Sequence, residues 1–124
     1  MSVEIISHSV AYRKRIMLEQ GVRTLVAPVE DVSYLSAETG GAMIFLKDDM
    51  HGYVGESLTQ LFAELDPAKF ARATRQFVVA LDAIKAFDAI PARRICNLVL
   101  RDPYADLQIQ IPNARKKELM ELLY

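Results

Sequence analysis

Two arginines interrupt a run of apolar residues that is otherwise typical of a buried strand. In residues 70–84 the apolar pattern breaks at a polar step that contains Arg72 and Arg75. A guanidinium group carries a planar fork of N–H donors that fits phosphate oxygens and the edge of guanine. Held beside a rigid strand, these side chains favour binding to a phosphate-bearing polymer. The alternative is that both are solvated charges at a strand edge, which is the commoner role of such residues.

A second basic group lies near the end of the chain. The sequence predicts a helix over residues 113–124 with Asn113 as its N-cap. Its apolar side holds Leu119, Leu122 and Leu123. Its first turn holds three cations, Arg-Lys-Lys at residues 115–117. Cations at this end oppose the helix dipole at a small energetic cost, which favours a binding role over a purely structural one.

No set of residues has the spacing of a known catalytic or metal site. The sequence contains no Gly-rich phosphate loop, no G-x-S-x-G motif, no H-E-x-x-H motif and only one cysteine. The nearest metal-like cluster, Asp48 and Asp49 with His51, is better explained as a polar turn. Ser36 and Ser57 have no basic partner nearby in the sequence. We therefore expect no catalytic residue, no metal, no cofactor and no enzymatic activity.

The aromatic residues divide into a core set and an exposed pair. Those expected in the core lie on apolar faces: Tyr34, Phe45, Phe62, Phe70, Phe77 and Phe87. Tyr53 and Tyr104 lie in more polar surroundings and are predicted to be more exposed. Stacking of these two rings on nucleic-acid bases is a weak proposal from the sequence.

Composition indicates one globular domain. The chain has 124 residues, of which 52% are hydrophobic, and its net charge is -1. Cys96 sits in an alternating apolar segment and fits a reducing compartment. No apolar run is long enough to span a membrane, and the N-terminus lacks the pattern of a signal peptide. We therefore expect a cytoplasmic protein without a membrane partner.

Charge is distributed unevenly along the chain. Residues 1–66 hold five Lys or Arg and ten Asp or Glu, whereas residues 67–124 hold ten Lys or Arg and six Asp or Glu. The first part is thus acidic, at -5, and the second is basic, at +4. Any surface that binds a polyanion is expected in the second part.

The elements that must position these groups are mostly strands. Alternating or short apolar segments between turn residues predict strands at 15–20, 22–29, 32–38, 42–47, 51–55, 77–81, 84–87, 95–101 and 107–111. Residues 57–65 instead carry apolar residues at helical spacing, with Ser57 as N-cap. Residues 91–94 are predicted to form a hairpin loop with two exposed arginines. These patterns predict a strand-dominated domain over residues 15–124, preceded by a lead-in segment at residues 1–14.

The order of these segments resembles one family. Residues 29–38, the helix that ends in Leu-Asp-Pro at 65–67, and the block 70–85 with its Phe-x-Arg-x-x-Arg-x-Phe-Val-Val pattern are similar to the LytTR DNA-binding domain. The similarity covers about residues 15–124. It implies a mainly β fold, an elongated antiparallel β-sandwich with one short internal helix and a C-terminal helix. It also implies sequence-specific binding to duplex DNA, as the output domain of a two-component transcriptional regulator.

The resemblance assigns the DNA-facing residues to three segments. The first is the turn at residues 38–41, with Thr39 and with Gly41, where a glycine lets the backbone approach DNA closely. The second is Thr74 and Arg75. The third, at the junction of the last strand and helix, contributes Asn113, Arg115 and Lys116.

Three positions depart from the family pattern. Thr74 stands where members often have His, Ala80 stands where they have Asn, and Pro112-Asn113 replaces Ser-Arg. Loss of one bidentate arginine contact is worth roughly 1–3 kcal/mol of base discrimination. The alternative function is therefore a LytTR-like protein-interaction module that no longer reads DNA. The partners implied are duplex DNA, a receiver domain or a second copy on paired sites, and no small-molecule substrate.

Overall fold

The computed structural model describes residues 11–124, and this part of the chain forms ten strands and two helices. The strands in chain order are β1 (Arg15–Gln20), β2 (Arg23–Pro28), β3 (Val32–Glu38), β4 (Gly41–Leu46), β5 (His51–Val54), β6 (Phe70–Arg72), β7 (Phe77–Ala80), β8 (Ile84–Ala89), β9 (Ile95–Leu100) and β10 (Ile109–Pro112). The helices are α1 (Leu58–Glu64) and α2 (Asn113–Leu122). Single 3-10 turns at Val29–Asp31 and Leu81–Ala83 lead into β3 and β8.

All described strand pairs are antiparallel and form two sheets. The first has seven strands in the order β2-β1-β5-β4-β3-β7-β6. The second has three, in the order β10-β9-β8. The prediction of a mainly β, antiparallel fold with one internal and one C-terminal helix is confirmed.

Alternation of side chains explains why these segments are strands. In β1, Ile16 and Leu18 are fully buried, while Met17 and Glu19 on the other face are exposed. In β10, Ile109 and Ile111 are buried and the polar residues beside them face solvent. Because successive side chains in a strand point to opposite faces, each segment contributes one face to the core.

The central strand β3 is buried on both faces. It pairs with β4 on one side and β7 on the other, and all residues from 32 to 36 are buried. Its Tyr34 ring stacks on Phe45 with centroids 4.4 Å apart and meets Phe77 edge-on. The other rings predicted for the core are buried or pack against the buried residues of the core. This rigid centre lies directly beside β7, the strand that follows the arginine-bearing step.

The two helices differ in how they begin. Ser57 caps α1 as predicted, since its hydroxyl accepts the N–H of Gln60 and the Gln60 side chain accepts the N–H of Ser57. The N-cap of α2 is Pro112, and Asn113 is the first helical residue, so the prediction of Asn113 as N-cap is wrong. Pro112 has the extended backbone of a cap residue, with φ -64 and ψ 151, and the N–H of Asn113 donates to the carbonyl of Arg94 at 3.0 Å.

The predicted lead-in is only partly described. Residues 1–10 lie outside the described residues. Arg13 is bound to the domain, because its guanidinium contacts the carboxylates of Glu56 at 3.0 Å and Glu64 at 2.7 Å. Its N–H also donates to the Glu64 carbonyl at 2.8 Å.

Candidate nucleic-acid interface

The loop between β6 and β7, residues 73–76, is held in one shape by its own backbone and by Thr74. The Thr74 hydroxyl accepts the N–H groups of Gln76 at 3.0 Å and Phe77 at 3.1 Å. The N–H groups of Ala73 and Thr74 both donate to the Phe77 carbonyl. Such local bonds fix a turn without help from a partner molecule. Thr74, a predicted site residue, therefore shapes the loop.

Arg72 completes this loop from inside. Its guanidinium donates to the carbonyls of Thr74 at 3.3 Å and Arg75 at 3.0 Å, and to the Thr59 hydroxyl at 3.3 Å. Within residues 11–124, the Arg75 side chain makes no hydrogen bond or ion pair and is exposed at the loop tip. Of the two arginines in the polar step, Arg72 therefore positions the loop and Arg75 is the one presented to solvent.

The turn between β3 and β4 lies beside this loop. The Gln76 side chain donates to the Ser36 hydroxyl at 2.8 Å and to the Ala37 carbonyl at 2.7 Å. The backbones of the two segments are also bonded, since the Ala37 N–H donates to the Gln76 carbonyl at 2.9 Å. The end of β3, which leads into the exposed Thr39, is thereby bonded to the loop that carries Arg75. Gln76 has no role in the sequence-based prediction, since nothing in its local pattern indicates a partner 40 residues away.

Gly41 is buried against β5 and is not open to solvent. A Cβ at this position would lie 2.2 Å from the Val54 carbonyl oxygen and 2.6 Å from the Tyr53 hydroxyl. The neighbouring Gly40 is exposed and has φ +77, a left-handed value that glycine adopts freely. The Tyr53 hydroxyl donates to the Gly40 carbonyl at 2.8 Å. The absent side chain of Gly41 thus serves packing inside the domain.

The start of α2 contacts Arg72, the last residue of β6, immediately before this loop. Arg115 donates from Nε to the Arg72 carbonyl at 2.7 Å, and its Nη2 donates to the same oxygen. Its Nη1 pairs with the Glu118 carboxylate at 2.8 Å. The predicted DNA contact from Arg115 therefore meets a guanidinium that is already occupied within the domain. Lys116, which follows it, is half-buried and makes no ion pair within the described residues.

Helix α2 buries less apolar surface than its sequence predicts. Leu119 is fully buried, but Leu122 and Leu123 remain 48% and 43% exposed. Its first turn contains no acidic residue and no side-chain cap. The polar side chains in the first turn of α2 are therefore the amide of Asn113 and the cations Arg115 and Lys116.

Tyr104 is buried, so the prediction that it is an exposed ring for stacking on bases is wrong. It is 9% exposed and donates its hydroxyl to the Leu46 carbonyl at 2.6 Å. Burial, reinforced by the nearby charges of Asp49 and Asp48 and by Tyr34, raises the pKa of Tyr104 to about 12. The ring belongs to the core.

Two further observations on the described residues concern metal binding and membrane spanning. Asp48 and Asp49 lie in the expected polar turn, in which the Met50 N–H donates to the Asp48 carboxylate at 3.0 Å, whereas His51 is the first residue of β5. Within residues 11–124, no three His, Cys, Asp or Glu side chains are grouped closely enough to hold a metal ion. None of the helices described is both long and apolar enough to cross a membrane.

Thr39, Arg75, Asn113 and Lys116 thus lie on three connected segments. The β6–β7 loop is bonded to the end of β3, and Arg72, the last residue of β6 before this loop, is bonded to α2. Their exposed groups include a free guanidinium, a hydroxyl and an amide, all of which bind phosphate or base edges in nucleic-acid complexes.

Comparison with known proteins shows the family of this chain. The family model described as LytTr DNA-binding domain matches residues 22–124. Transcriptional regulatory protein YpdB from Escherichia coli O6:H1 is 27% identical over 110 residues, which cover 88% of this chain and 43% of that protein. The chain thus spans less than half the length of this relative.

A solved structure shares the fold. The LytTr DNA-binding domain of a Bacillus cereus protein described as a putative methyl-accepting/DNA response regulator superposes with a TM-score of 0.73 at 20% identity. The match covers 90% of this chain and 97% of that one. Since the family model covers more than four-fifths of the sequence, the chain belongs to the LytTr DNA-binding domain family.

Proposed function

We propose that this domain binds duplex DNA in a sequence-specific manner, as the output domain of a cytoplasmic two-component transcriptional regulator. Membership of a DNA-binding family supports the binding role. The regulatory role is supported by the Escherichia coli relative, a transcriptional regulatory protein, and by the Bacillus cereus neighbour, described as a response regulator. The role is binding and not catalysis, and it requires neither a small-molecule substrate nor a membrane.

The observation that carries the proposal is the presentation of Arg75. Its loop is fixed by Thr74 and Arg72 and is bonded to the end of β3, while its own side chain is free and exposed within the part of the chain that the structure describes. A preorganised loop loses little conformational freedom when it binds. A guanidinium held in this way can form a two-pronged contact with guanine or a phosphate.

The other predicted site residues divide into contacting and positioning groups. Thr39 and Lys116 supply a hydroxyl and an ammonium to phosphates, and the amide of Asn113 can pair with a base edge. Thr74 and Arg115 hold the loop and helix in place through the bonds described above. Gly41 keeps the β3–β4 turn packed on β5. A receiver domain, or a second copy on paired DNA sites, is the proposed protein partner.

The test is DNA affinity measured by fluorescence anisotropy across a salt series, with a duplex selected by the purified domain. Arg75→Ala is expected to weaken binding by roughly 1–3 kcal/mol, or about 5- to 150-fold, if it reads a base. The matched control is Arg23→Ala, an exposed arginine on β2, which lies five strands from β7 in the same sheet. Equal affinities for the two variants would refute the assigned role of Arg75.

The second candidate function, a protein-interaction module, is favoured by one apolar surface. Met17 and Val26 face each other across β1 and β2 and are 63% and 57% exposed. Contiguous exposed apolar surface is a mark of protein-interaction sites. Absence of any duplex binding at low salt would favour this function over DNA reading.

A further inference from the structure

We propose that the β8–β9 hairpin loop, residues 91–94, forms an additional clamp on the DNA phosphate backbone beside the start of α2. This clamp adds affinity without reading bases. The inference rests on the proposed function, and it extends the DNA surface beyond the three segments described above.

The loop has a fixed shape. The Arg93 N–H donates to the Ile90 carbonyl at 3.2 Å, and the Ile90 N–H donates to the Ile95 carbonyl at 3.4 Å. Ala92 has φ +63, as expected at a tight reversal of the chain. Arg93 and Arg94 follow this reversal, and both are exposed. Neither forms an ion pair within residues 11–124.

A backbone bond holds the loop against the proposed DNA surface. The carbonyl of Arg94 accepts the N–H of Asn113, the first residue of α2, at 3.0 Å. Asn113 is therefore shared between the helix and the hairpin. Any duplex that contacts the first turn of α2 comes close to the two arginines.

The lysines of α2 extend the positive surface on this side. Lys116 and Lys117 line a concave surface of about 500 Å³ between α2 and Ala89 at the end of β8. Lys116 also lies near the base of the hairpin, close to Cys96. Burial raises the pKa of the Cys96 thiol, the charge of Lys116 lowers it, and the charge of Asp88 raises it. Cys96 pairs with Ala89 at the last rung of this hairpin.

The positive charges of the hairpin loop and of α2 suit binding to phosphate. Four cations, Arg93, Arg94, Lys116 and Lys117, lie on this surface. They outnumber the acidic groups beside them, which are Glu121 on the same concave surface, Asp88 near Cys96, and Glu118, whose carboxylate is paired with Arg115. Phosphates lie along both strands of DNA and accept the forked donors of arginine in any sequence. Two adjacent arginines at a loop tip therefore fit the polymer backbone, which supplies affinity and not sequence preference.

The test measures the salt dependence of DNA affinity for the double variant Arg93→Ala/Arg94→Ala. Removing two phosphate contacts reduces the magnitude of the slope of log K against log salt by about 1.8. The ratio of the affinity of the unmodified chain to that of the variant therefore falls about 12-fold between 50 and 200 mM salt. Arg93→Lys/Arg94→Lys is expected to retain the slope, because lysine also neutralises phosphate. Arg23→Ala is the control on the far edge of the sheet.

The outcomes separate the clamp from the wider function. If the unmodified chain binds DNA with a salt-dependent affinity and the double alanine variant keeps the same slope, the clamp is refuted while the proposed function stands. If the double variant selects a different DNA sequence, the arginines read bases and the backbone clamp is also refuted. If the unmodified chain does not bind duplex DNA at 50 mM salt, the proposed function fails first.

Discussion

Arg115→Ala distinguishes a positioning residue from a direct DNA contact. The resemblance predicts that Arg115 replaces the family arginine whose place Asn113 takes, but here its guanidinium bonds the Arg72 carbonyl and the Glu118 carboxylate. Removing it breaks the side-chain link between α2 and the end of β6, which leads directly into the loop that carries Arg75. We therefore expect lower stability and weaker DNA binding, with little change in the salt dependence of binding.

The expected decrease in stability comes from two sets of bonds that Arg115 makes. The two part-buried N–H groups on the Arg72 carbonyl are worth about 1.5–2.5 kcal/mol together, because a charged donor is involved. The pair with Glu118 adds about 0.3–0.5 kcal/mol, since the Glu118 side chain is 60% exposed. The free energy of unfolding should thus fall by about 2–3 kcal/mol, and Tm by roughly 10 °C.

Urea denaturation and anisotropy across a salt series measure both effects on the same protein. Arg23→Ala is the control, because this exposed residue on the edge strand β2 lies away from the proposed DNA surface and should change stability by less than about 0.5 kcal/mol. The reasoning is refuted if Arg115→Ala leaves the free energy of unfolding unchanged and lowers the salt slope by about 0.9, as removal of a phosphate contact would.

Three further substitutions test the structure around the site. The free energy of unfolding should fall by about 2–3 kcal/mol between pH 10 and 12, because the pKa of Tyr104 is raised above that of an unfolded tyrosine. Alkaline denaturation would measure this loss, which should be absent in Tyr104→Phe. Gly41→Ala should destabilise by roughly 1–3 kcal/mol in urea, since its methyl group would meet the Val54 carbonyl; unchanged stability would contradict this packing. Thr74→Ala should weaken DNA binding by loosening the loop, whereas Thr74→Ser retains the hydroxyl and should bind normally; equal binding by both would contradict a role for that hydroxyl.

Strand positions could be predicted from the sequence because alternation is a local signal. The bounds of β1 and β3 match the apolar pattern residue for residue. The cap of α1 was also predictable, since Ser57 and Gln60 are three residues apart. These features depend only on neighbours along the chain.

The contacts that build the site were not predictable in the same way. Arg115 meets a carbonyl 43 residues away, and the Tyr104 hydroxyl meets one 58 residues away. At the start of α2, where the cap is Pro112, the N–H of Asn113 makes a tertiary bond to the carbonyl of Arg94, which lies on the β8–β9 hairpin. A propensity for capping cannot include such a partner.

Amide chemical-shift mapping by NMR, with the selected duplex added at low salt, tests the proposed DNA surface most directly. We expect the largest shifts at Thr39, Arg75 and residues 113–116, and small shifts along β2, which lies at the far edge of the sheet. Shifts concentrated on β1 and β2, or no shifts at all, would contradict the assignment of these three segments to one DNA-binding surface.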